Sequence, residues 1–117
     1  MVEREFRGEA TGPEPPNYES RQLEAFAVVK TGDGVLYGLT VTNTNAAAQY
    51  VLGFDARTLP GDGAVPLFGY KVPAGDALPL TWIPGRTFFS GIILCNSSTQ
   101  ATKTIGAADC LFDVQYL

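Results

Sequence analysis

The stretch Val35-Leu-Tyr-Gly-Leu-Thr-Val-Thr42 decides how the chain reads. Tyr37, Leu39 and Val41 alternate with Gly38, Thr40 and Thr42, and a period of two puts every second side chain on one face of an extended strand. One face is apolar and the other small or hydroxylated, so the stretch predicts a strand packed on a single side. Working outward, Tyr50, Leu52 and Phe54 repeat the alternation, as do Phe68, Tyr70 and Val72. Cys110, Phe112, Val114 and Tyr116 form the last such run, with Asp113 and Gln115 facing outward. Leu78, Leu80 and Trp82 continue the pattern around Pro79, which places that strand at a sheet edge because proline cannot donate to a ladder. Phe26–Val29 and Phe88–Leu94 are apolar at successive positions, which predicts central strands covered on both faces.

Turn chemistry falls between these runs. Gly32-Asp33-Gly34 predicts a hairpin turn, and Pro60-Gly61-Asp62-Gly63, Pro73-Ala74-Gly75-Asp76 and Pro84-Gly85 predict further turns. Helical periodicity is poor throughout, with one short helical turn expected at most, over Thr44–Gln49. Seven or eight short strands predict an all-β fold, a two-sheet antiparallel sandwich that is jelly-roll-like or another Greek key. An immunoglobulin-type sandwich is the rival, but its tryptophan between two distant cysteines is missing, since Trp82 precedes both Cys95 and Cys110.

Residues 1–21 have a different character. Glu3, Arg4, Glu5, Arg7, Glu9 and Glu14 mix charges, and Gly12-Pro13-Glu14-Pro15-Pro16 favours an extended, polyproline-like path. The chain therefore divides into an extended Pro-rich N-terminal arm, 1–21, and a β-sandwich domain, 22–117. Phe6 and Tyr18 are the apolar anchors with which the arm would hold a neighbour.

Composition narrows the function. Charged residues make up 17% of the chain and the net charge is −4, against about 25% charged in an ordinary soluble domain. The basic residues are scattered, whereas phosphate binding needs them clustered, so no nucleic-acid partner is expected. No apolar run approaches the length of a membrane span, and charges follow Met1 where a signal core would lie, so neither membrane insertion nor export is expected. The two cysteines read as small buried thiols, with a disulfide between them left open.

Chemistry is conspicuous by what is missing. The chain has no histidine, which removes Ser-His-Asp and Cys-His catalysis and histidine metal sites. No phosphate-cradling glycine loop precedes a helix. The expectation is no catalytic residue, no metal and no cofactor. Asp55 and Asp113, on strand faces, are the carboxylates least readily assigned to turns, and they define a remote hydrolase reading. Phe88 and Phe89 are adjacent and cannot both point inward on a strand, so this pair is the leading candidate for partner contact. The polar stretch Asn96–Asp109 is long enough to be functional, and Asn96, Ser98, Thr99 and Lys103 are its candidate contact residues. Its side chains suit sugar hydroxyls, a protein partner or their own backbone, and the sequence leaves the three open.

Four stretches carry a family likeness: Val41-Thr-Asn-Thr-Asn-Ala-Ala-Ala-Gln-Tyr50, Leu59-Pro-Gly-Asp-Gly-Ala-Val-Pro66, Gly91-Ile-Ile-Leu-Cys-Asn-Ser-Ser-Thr99 and Phe112-Asp-Val-Gln-Tyr116. Over residues 34–117 the chain resembles small structural proteins of tailed bacteriophages, notably head decoration or cement proteins. The resemblance implies a sandwich that oligomerises, as a dimer or trimer, and binds major capsid or neighbouring virion proteins. It also implies assembly in the host bacterial cytoplasm and residence in the virion. The alternative is a carbohydrate-binding module of a phage tail or fibre, with Trp82, Tyr70 and Tyr37 stacking on sugar rings.

Overall fold

The computed structural model describes residues 16–117. Eight strands follow one another: β1 (Asn17–Glu19), β2 (Phe26–Thr31), β3 (Gly34–Asn43), β4 (Gln49–Asp55), β5 (Phe68–Val72), β6 (Ala77–Phe88), β7 (Gly91–Ser97) and β8 (Cys110–Tyr116). They form two four-stranded sheets, β1-β8-β3-β6 and β2-β7-β4-β5, in which every pairing is antiparallel. The pairs β1–β8, β2–β7, β3–β6 and β4–β5 are those of one long hairpin folded double and rolled up, which is the jelly-roll connectivity. The expected all-β two-sheet sandwich is what the chain forms.

Between the sheets lies the main core. Leu36, Leu39, Val41, Val51, Phe88, Ile92, Leu94, Phe112 and Val114 are each at most 1% exposed. Leu78, Leu80 and Trp82 pack against them from β6, a true edge strand that accommodates Pro79.

Several sequence expectations are corrected. Tyr37 does not join Leu39 and Val41 inside. It is the extra residue of a bulge between Leu36 and Gly38, seen in both ladders of β3. One inserted residue reverses the face, so Leu36 is fully buried and Tyr37 is exposed. Opposite it, Trp82–Gly85 loop out of β6, so Pro84-Gly85 is a bulge within a strand and not a turn. Gly32-Asp33-Gly34 is no hairpin turn, because β2 and β3 belong to different sheets. Gly32 (φ 92°) instead turns the chain from one layer to the other. Thr44–Gln49 contains no helical turn; the side-chain oxygens of Asn43 and Asn45 accept the amides of Asn45 and Ala47, an alternative to helix that asparagine favours.

The two stretches that are apolar on successive positions separate. β7 is central and buried along its whole length. Its outer face, with that of β4, forms a second core of Leu52, Phe54, Ile93 and Cys95 beneath Ala56, Leu59 and Ala64 of the following loop. β2, in contrast, is an edge strand, with Ala27 and Val29 inside and Phe26 and Val28 exposed. The boundary between arm and domain also moves: β1 lies within the stretch read as arm, yet pairs with β8 through Asn17, Tyr18 and Glu19. Phe6 lies outside the described residues.

Candidate interaction surface

Of the expected contact residues, the structure separates those that reach solvent from those that do not. Phe88 is fully buried in the main core, while Phe89 is 77% exposed. The correction follows from the pleat: the ring that completes the core leaves its neighbour outside. Phe89 stands on a pinned turn. The Asp55 carboxylate accepts the backbone N–H groups of Phe89, Ser90 and Gly91 at 2.6–3.2 Å. Desolvation pushes the Asp55 carboxyl up, but these three amide donors outweigh it and hold the carboxyl below its ordinary range. Asp55 is therefore the clamp of a turn, with its lone pairs already committed.

Tyr18 is half-buried and packs against the main core. Its hydroxyl donates to both oxygens of Glu24, at 2.7 and 2.8 Å, and Ser20 donates to the same carboxylate at 2.6 Å. Burial, with the adjacent Glu24 carboxylate, pushes the phenol up to about 12. Tyr18 thus fastens β1 to its own domain.

The stretch Asn96–Asp109 is satisfied largely by itself and its neighbours. Ser97 Oγ donates to Thr99 O and accepts the amides of Thr99 and Thr104, and Thr99 Oγ1 donates to Thr102 O. Asn96 and Lys103 are buried, at 1% and 3% exposure, so neither is a surface contact; Ser98 and Thr99 are exposed. The Lys103 ammonium pairs with Asp62 of the loop over the second core, and the backbone of Lys103 bonds to Gly63 and Ala64. The hydrogen bond from Lys103 holds the Asp62 carboxyl below its usual range. This loop pair is the lid of the second core.

A surface whose aromatic rings the sequence reading placed in the core by default, and on sugar rings in its alternative, lies on the flank where β5 and β6, an edge strand of each sheet, approach through Phe68 and Trp82. Phe68 forms its floor. Its ring lies across Gly53, where a Cβ would come within 2.3 Å of it, so only glycine at that position admits the ring. Tyr70 and Trp82 stand beside Phe68, with ring centroids 5.6 and 5.3 Å away. The Arg86 guanidinium lies over the same ring at 5.1 Å and donates to Leu67 O at 3.1 Å. Tyr70 and Leu67 are 36% and 47% exposed, and Ile83, at the tip of the β6 bulge, is 91% exposed. The signal available in sequence was the density of Trp, Tyr and Arg between residues 68 and 86; what hid it was the period-2 pattern, which marks the inward face without telling where the sandwich ends.

The opposite character belongs to the outer face of β1, β8 and β3. There a shallow cleft of 230 Å³ is lined by Glu19, Ser20, Thr40, Thr42, Leu111 and Asp113, among others. Glu19 and Asp113 are directly opposed across the β1–β8 ladder, and Asp113 accepts a bond from Gln115. Among the described residues no three acidic, cysteine or histidine side chains are grouped to hold a metal ion. Both cysteines are free and buried; burial pushes the Cys95 thiol up to about 11 and the Cys110 thiol to about 12. Comparison with protein-family models, with curated proteins and with solved structures gives no match to this chain.

Proposed function

We propose that this protein is a non-enzymatic virion structural protein, a head decoration or cement protein that stabilises a capsid by binding its major subunits, with the N-terminal arm contacting neighbours. The observation that carries the binding reading is Phe89. A large aromatic ring is presented to solvent on a turn whose three amides are clamped by one carboxylate. Holding an anchor in place before contact lowers the entropy cost of association. Ile83 supplies a second apolar projection, and the weak surface charge suits broad, shallow contacts. The phage partner itself rests on the resemblance of residues 34–117.

Co-sedimentation with heads lacking the protein tests the reading. Phe89→Ser is expected to weaken capture about tenfold or more, as loss of one interface anchor does, while leaving the unfolding midpoint unchanged. Removal of residues 2–15, which spares β1, is expected to weaken it further. An intact protein that ignores heads at every concentration would overturn the proposal. The carbohydrate alternative is favoured by one feature, the hydroxyl- and carboxylate-lined cleft beside Thr40 and Asp113, and a glycan array decides it. Trp82 does not support it, since that ring is occupied against Phe68.

A further inference from the structure

We infer that the open edge of β2 is a contact between two copies of this chain, in which β2 of one copy pairs antiparallel with β2 of the other about a two-fold axis at Ala27. The four sheet edges differ in what they leave open. β6 carries Pro79 and Pro84, β1 is three residues long, and on β5 the Gly69 carbonyl already accepts the Gln100 side-chain amide at 2.9 Å. Prolines, shortness and capped carbonyls each blunt an edge against further pairing. β2 has no proline, and its regular stretch Phe26-Ala27-Val28 runs up to a bulge at Val29.

The ladder fixes where the backbone of β2 points. Ala25 O accepts the Asn96 amide at 2.7 Å, so Ala25, and Ala27 two residues on, are the residues that bond to β7. Phe26 and Val28 alternate with them and aim their N–H and C=O groups at the open side, where among the described residues nothing bonds to them. Their side chains stand on the outer face, 41% and 39% exposed. Ile105 is bridged to Ser97 on the side of β7 that β2 occupies, since Tyr50 of β4 takes the other side, and it carries the apolar row on past Phe26.

Such an edge is complementary to itself. With the axis at Ala27, Phe26 of each copy faces Val28 of the other and exchanges both backbone bonds with it, a favourable aromatic and β-branched pair. Glu24 and Lys30 lie three residues to either side of Ala27, so the same register brings opposite charges of the two copies together. Among the described residues Glu24 accepts hydrogen bonds from the neutral hydroxyls of Tyr18 and Ser20, which leave its charge in place. One edge serves both copies, so association stops at the dimer. The contact is short, which puts it among the weak, concentration-dependent interfaces. It goes beyond the capsid reading, and needs no head to form.

Sedimentation velocity on the full-length chain, from about 1 μM to about 1 mM, is the test. The wild type is expected to pass from monomer to dimer mass across this range and to go no further. Val28→Pro removes an N–H that no bond within the chain uses, and Phe26→Lys sets a charge at the centre of the contact. Each is expected to move the transition to at least about tenfold higher concentration, with circular dichroism and the urea midpoint showing that the fold is kept. Lys30→Glu, which opposes like charges, shifts it in the same direction. Removal of residues 2–15 leaves the dimer intact. A monomer throughout the range overturns the inference, as does a dimer that a folded Phe26→Lys variant forms equally well. A dimer lost with residues 2–15 belongs to the arm and overturns it too.

Discussion

Ile93→Ala examines the second core, the part of the fold on which the lid loops depend. Ile93 is on the outer face of β7, fully buried beneath the 56–67 loop, and its ladder partner on β2 is Val28, 39% exposed on the same face. Truncation of Ile93 removes three carbons. At about 0.8 kcal/mol for each, the transfer loss is about 2.4 kcal/mol, and the cavity left under the lid brings the expected cost to about 3–4 kcal/mol. Val28→Ala removes two carbons that are already partly wet, for an expected cost of about 1 kcal/mol. For a chain of this length, 3.5 kcal/mol corresponds to a midpoint lower by about 14 °C. Urea unfolding at 25 °C, followed by far-ultraviolet circular dichroism, measures both variants, with an unchanged m-value confirming that only stability moved. If Ile93→Ala costs no more than Val28→Ala, the loop layer is not packed and the second core is refuted.

Three further outcomes are expected. Asp55 has a lowered folded-state pKa, so its contribution is complete above its ordinary value of about 4 and is lost as pH falls through the lowered one; Asp55→Asn should flatten the acid limb of a stability-versus-pH curve, and an unaltered limb would count against the clamp. Tyr18 has a raised folded-state pKa, so its contribution is complete below its ordinary value of 10.0 and is lost as pH rises towards about 12; an absorbance titration should show a tyrosinate step near pH 12 that Tyr18→Phe removes, with the fold still intact by circular dichroism at that pH. Cys95 and Cys110 are buried and their thiols are raised, so a thiol-disulfide reagent should label neither in the folded protein and both in denaturant; rapid labelling of either thiol in the native state would contradict the burial.

The residue pattern by itself determined that this is a two-sheet β-sandwich, because alternation along Leu39–Val41, Phe68–Val72 and Cys110–Val114 leaves one apolar face per strand and two such faces must meet. It also determined that either Phe88 or Phe89 had to lie outside, since neighbouring side chains on a strand oppose each other. Tertiary structure alone decided which one, because that depends on the register of β6 against β3, and register is set jointly by both strands. The same holds for Tyr37: a bulge is a mismatch between two strands, so the sequence of one strand carries no trace of it. Nor does alternation tell an inner face from its rim: Pro79 marked β6 as an edge strand, but that β5 is an edge as well, with Phe68 against Trp82, came only from the tertiary structure. Local chemistry specifies which side chains avoid water; only the assembled neighbours specify which of them succeed.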